Sequence, residues 1–125
     1  MEELIGRVSA AAGIELDVAQ KSIGVILNFL RKEGPAGPVG ELMSALPGAE
    51  AAADSAGGGG LMGAMGGMMG GGGLMALAGQ LSSAGLGMGE MSAVGKELFA
   101  AAREKVGEDT IGEIAGAIPG LHQFI

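Results

Sequence analysis

Apolar side chains along this chain recur at the spacing of helices, and they do so twice in the same order. Near the start, Leu4, Ile5 and Val8 share one helical face, and the segment stops at Gly13. Asp17 then precedes a stripe of Ala19, Ile23, Ile26, Leu27 and Leu30. That is the i, i+4, i+7, i+8, i+11 pattern of a helix with one buried face. Asp17 with Gln20 has the form of a capping box, and Gly34 stands where a helix-ending glycine belongs. After the PAGP break, Pro38 suits the first turn of a short helix carrying Val39, Leu42 and Leu46, ended by Leu46-Pro47-Gly48.

The second half repeats the plan. Leu74, Leu77, Ala78 and Leu81 predict a first helix. Met91, Val94, Leu98, Ala102 and Val106 predict a long one ending at Gly107. Thr110 with Glu113 reads as a capping box for a last helix, with Ile111, Ile114 and Ile118 on its buried side. Nothing alternates with period two over a useful length, so no strand is expected.

The resemblance between the halves extends to the letters. Residues 40–48 read GELMSALPG and residues 112–120 read GEIAGAIPG. The same offset pairs Ala12-Gly13 with Ala84-Gly85, Leu16 with Met88, Ile26-Leu27 with Leu98-Phe99, and Arg31 with Arg103, without a gap from residue 12 to residue 48. The expected fold is therefore all-α: two duplicated three-helix units forming a small helical bundle. They occupy residues 1–50 and 74–125, joined by a Gly/Met-rich flexible linker at 51–73.

Composition sharpens this picture. The chain has 125 residues and no Trp or Tyr, and its three aromatic side chains are Phe29, Phe99 and Phe124. A core must be built from Leu, Ile, Val, Met and Ala, and a unit of this size with so few large side chains is marginal alone. Either the two units pack on each other or the protein oligomerises. A net charge of -7, with the cations interleaved among acids, argues against a nucleic-acid partner. The absence of cysteine removes disulfides, thiolate metal sites and thiol nucleophiles. MEELIGRVS has no basic stretch before an apolar run, so a cytoplasmic location is expected.

The centre of the chain, GGGGLMGAMGGMMGGGG at 57–73, is unusual. At about 1 kcal/mol per glycine, roughly 10 kcal/mol opposes a helix there. Complete burial of Leu61, Met62, Met65, Met68 and Met69 would return about 8 to 15 kcal/mol. Unless a partner buries them, the segment is a tether. With a partner, those five side chains are the candidate contact residues. Gly59, Gly63 and Gly67 have the spacing that lets helices approach closely. The partner would be another protein, a second copy in a homo-oligomer, or a membrane surface. Thioether binding of Cu(I) is a more distant reading, since no Cys or neighbouring His assists the methionines.

Chemistry is hard to find elsewhere. His122 has no evident carboxylate partner. Glu41 and Glu113 hold equivalent places in the two halves and could form an acid pair, but both follow a helix start, where a carboxylate complements the dipole. Glu108 and Asp109 read the same way. Arg31 and Lys32, and Arg103 and Lys105, close the two long helices, where cations suit the other end of the dipole. The glycines are not a phosphate loop, because no Lys-Ser or Lys-Thr follows and no strand precedes them. No catalytic, cofactor or metal residues are assigned. A non-enzymatic interaction or adaptor protein is expected, with a membrane-associated or self-assembling protein as the alternative.

The run AAGIELDVAQKSIGVILNFL…LMSALPG, a glycine-rich segment, and then LAGQLSSAGLGMGEMSAVGKELF resembles an uncharacterised bacterial family of VcgC/VcgE type. That resemblance implies a bacterial helical protein with an N-terminal helix pair ending in a similar A-[IL]-P-G motif, a Gly/Leu-rich middle, and no assigned activity. This chain carries Met where the resemblance would lead one to expect Leu in the middle.

Overall fold

The structure, a computed structural model, describes residues 2–57, 73–118 and Leu121. All regular structure among the described residues is helical. The helices are α1 (Glu2–Ala12), α2 (Leu16–Glu33), α3 (Ala36–Ala45), α4 (Ala49–Gly57), α5 (Gly73–Ser83), α6 (Met88–Val106) and α7 (Glu108–Ala117). The all-α expectation is met.

Helix boundaries recur along the chain. The starts of α2 and α6, residues 16 and 88, differ by 72, and so do the starts and the ends of α3 and α7. The caps recur too. Gly13 (φ 68°) and Gly85 (φ 102°) both take the left-handed backbone that glycine allows. Just beyond each, the Ile14 N–H donates to the Ser9 carbonyl at 3.1 Å and the Leu86 N–H to the Leu81 carbonyl at 3.2 Å. This is the six-to-one bond of a Schellman cap, which satisfies a carbonyl that the helix end would otherwise strand. Leu46 and Ile118 end α3 and α7 in the same extended backbone.

The centre of the molecule is α2. The stripe predicts one buried face, but every residue from Ser22 to Leu30 is buried. SIGVILNFL carries only two polar side chains, and a helix apolar all round belongs inside. Both polar side chains are satisfied: the Ser22 hydroxyl donates to the Val18 carbonyl at 2.7 Å, and Asn28 Oδ1 accepts from Arg31 Nη2 at 3.2 Å. Helices α1, α4 and α5 pack around α2, with α4 making the most extensive contact.

α4 corrects the expected linker boundary. The linker expected at 51–73 starts later, because residues 51–57 are helical and continue from Ala49. AEAAADSA is rich in the best helix former. Ala49 and Ala53, both fully buried, put a face of methyl groups against α2. The N-terminal part of the chain thus holds four helices rather than three. The remaining linker residues, 58–72, lie outside the described residues.

Three cap expectations also change. α2 starts at Leu16 with Glu15 as N-cap, so Asp17 sits inside the first turn and complements the dipole instead of capping. α7 starts at Glu108 with Gly107 as N-cap, which leaves Thr110 inside the helix with its hydroxyl available to another partner. Gly34 caps α2 with extended backbone (φ -86°), so its role is not a left-handed turn. A Cβ there would lie 2.6 Å from Val39 Cγ2 and 2.7 Å from the Leu30 carbonyl oxygen. Glycine is required because the start of α3 folds back against the end of α2.

One apolar cluster runs through both halves of the chain. It includes Leu4 and Val8 of α1, Ile23 and Leu27 of α2, Leu77 and Leu81 of α5, Leu98 and Phe99 of α6, and Ile111 and Ile114 of α7. The halves are interleaved: α1 lies along α6, α5 packs on α2, and α3 rests against both α6 and α7.

Candidate functional site

A cleft of about 480 Å³ lies among the described residues where α1, the turn after α3, and α6 meet. Leu4, Leu46 and Ala101 form a buried apolar floor, and Glu3, Arg7, Pro47, Glu104 and Lys105 form the rim. α1 is placed here by Leu4 and Val8, which anchor it in the core.

Arg7 dominates the rim. Its Nε donates to Glu97 Oε1 at 2.9 Å and its Nη1 to Glu104 Oε2 at 3.1 Å. Glu97 and Glu104 are seven residues apart, two helical turns, so α6 presents both on one side. The two carboxylates, Glu104 foremost and then Glu97, raise the Arg7 pKa above its ordinary value. The guanidinium is therefore a fixed cation with its donors directed at α6. The residues lining the cleft include no Ser, Thr, Cys or His, so they offer no side-chain nucleophile of those types. What the cleft can do is hold an apolar group over Leu4 and Leu46 while Glu3 and Lys105 meet polar groups at the edge.

A second cross-chain contact joins α3 and α7. The Thr110 hydroxyl, on a buried residue, donates to Glu41 Oε2 at 3.1 Å. Glu41 and Glu113 are each the sixth residue of their helix, beyond the first turn in which a dipole contact is effective. The dipole reading holds instead for Glu108 and Asp109, which do lie in the first turn of α7, and for the cations in the last turns of α2 and α6. A third contact, Arg31 to Asp54 at 2.9 Å, ties α4 to α2.

The contact residues expected from sequence, Leu61, Met62, Met65, Met68 and Met69, lie outside the described residues, as does His122. Sequence reasoning missed the cleft. Its signal was the seven-residue spacing of Glu97 and Glu104, but nothing in the linear pattern connects them to Arg7. Among the described residues there is no group of three His, Cys, Asp or Glu side chains placed to hold a metal ion, and no helix long and apolar enough to cross a membrane. In comparisons with known proteins the chain matches no protein-family model, no curated protein and no solved structure.

Proposed function

We propose that this is a non-enzymatic helical interaction protein of the cytoplasm, built from a duplicated three-helix unit and acting through contact with another protein or with a further copy of itself. The observation that carries this reading is the cleft between α1 and α6. It has an apolar floor and a rim whose principal cation is already engaged by two carboxylates. Such a surface suits recognition of a side chain better than chemistry on one. The recurrence of helix ends and Schellman caps at one offset supports the duplication. The bacterial family resemblance, carried by the motifs in the sequence, agrees with a role that needs no catalytic residues.

The test is a photoreactive residue placed at exposed Pro47, on the rim of the cleft, and irradiated in living cells. A discrete adduct is expected, of the mass of one partner or of a dimer. The control is the same residue at exposed Gly112 on α7, which does not line the cleft. No adduct at Pro47, or the same adducts at both positions, would remove the cleft as a contact surface. Co-sedimentation with liposomes tests the membrane-surface alternative, which predicts pelleting at low salt.

A further inference from the structure

We infer that two copies of this chain can exchange halves, with residues 2–57 of one copy docking on residues 73–121 of the other through the contacts made within a single chain. The inference deepens the self-association side of the proposed function and rests on it. Its starting point is the interleaving of the fold. α1 lies along α6, α5 on α2, and α3 against α6 and α7, so each half packs extensively on the other. Polar contacts cross the same boundary: Arg7 to Glu97 and Glu104, and Thr110 to Glu41.

Nothing in those contacts requires the two halves to belong to one chain. Residues 58–72 are the covalent connection between them, and fifteen residues reach at most about 50 Å. Because the two halves share one chain, their docking is intramolecular, which favours the closed single chain in dilute solution. The second copy is the partner these surfaces fit, because every contact it would make is one the chain already makes. Exchange of this kind creates no new interface and needs only that the intrachain docking lose its advantage.

The charge pairs between α1 and α6 provide the test. One full-length variant carries R7E. A second carries E97R and E104R. In each alone, like charges face each other across the α1–α6 contact. In an exchanged heterodimer both contacts are complementary. Arg7 of the second variant meets the unaltered Glu97 and Glu104 of the first, and the carboxylate introduced by R7E meets the guanidinium groups introduced by E97R and E104R. The two are unfolded in urea, mixed, refolded at micromolar concentration, and analysed by light scattering on a sizing column.

The expected result is a species of twice the monomer mass, at least about tenfold more abundant in the mixture than in either variant alone, which corresponds to roughly 1.4 kcal/mol. If a variant alone fails to fold, the mixture is still expected to regain helical circular dichroism together with the dimer mass. A mixture that stays monomeric, or stays unfolded, overturns the exchange. Wild-type protein is sized in parallel over a range of concentrations. If it self-associates while the mixture does not, exchange fails and the self-association reading survives. If neither associates and the Pro47 probe gives no dimer adduct, self-association fails as well.

Discussion

Thr110 in α7 donates its hydroxyl to Glu41 in α3 at 3.1 Å, joining two helices whose starts stand 72 residues apart in the chain (108 - 36). The bond has no twin. Residue 38, the counterpart of Thr110 at that offset, is Pro38, whose side chain has nothing to donate to Glu113. Helix boundaries recur at this offset, but this polar contact does not.

Replacing Thr110 with Val keeps the shape of a buried side chain and removes the donor. Glu41 is exposed and can turn to water, so the loss should be near the typical net worth of a hydrogen bond, about 1 kcal/mol. Urea unfolding of T110V, E41A and the double variant measures it. The two single effects should fail to add, because both alter the same bond.

Two kinds of glycine should respond in opposite directions to alanine. Gly34→Ala should destabilise by about 1 to 3 kcal/mol, since the new methyl meets Val39 and the Leu30 carbonyl at less than contact distance. V39A should relieve only part of this, because the carbonyl cannot move aside. Gly40→Ala and Gly112→Ala, at exposed positions inside α3 and α7 with open space around them, should each stabilise by about 0.5 to 1 kcal/mol. Thermal melts of the three variants decide the matter.

Ala53→Leu probes the contact between α4 and α2. The methyl of Ala53 is fully buried, and a larger side chain must push the helices apart or twist off its preferred rotamer. A loss of about 1 to 3 kcal/mol is expected in urea unfolding. An unchanged midpoint would mean that α4 rests loosely on α2.

Ile23→Ala removes a fully buried side chain from the central helix, for an expected loss of about 2 to 5 kcal/mol. In a domain of this size that is a large share of total stability. A guanidinium melt of I23A should show a lower midpoint with an unchanged slope.

Much of the helical plan was legible in the sequence because it is written in local periodicity. Leu4 and Val8, the α2 stripe from Ala19 to Leu30, and Met91, Val94, Leu98 and Ala102 are all buried as their spacing suggests. The ends of α1 and α6 at Gly13 and Gly107 were readable for the same reason. α4 escaped notice because its code is propensity rather than amphipathicity: alanines carry too weak a pattern to mark a face. The surrounding of α2 escaped because a stripe says which residues lead into the core, not whether neighbours also cover the opposite side. The pairing of Arg7 with Glu97 and Glu104 could not be read at all. It depends on how α1 lies against α6, and that is set by packing between residues about ninety positions apart.

The burial of α2 from Ser22 to Leu30 also fixes where the molecule can breathe. Amide protons of Ile23 to Leu30 bond along a helix that α1, α4 and α5 cover together. Deuterium can reach them only after those three have moved away, so their exchange should report the opening of the whole protein. The amides of α4, a short helix that packs on α2 through small side chains such as Ala49 and Ala53 and an exposed Arg31–Asp54 pair, should exchange through a smaller and more frequent opening. A protein with so little large apolar surface thus concentrates its resistance to opening in the stretch from Ser22 to Leu30, and leaves its outer helices free to detach and return while that stretch stays closed.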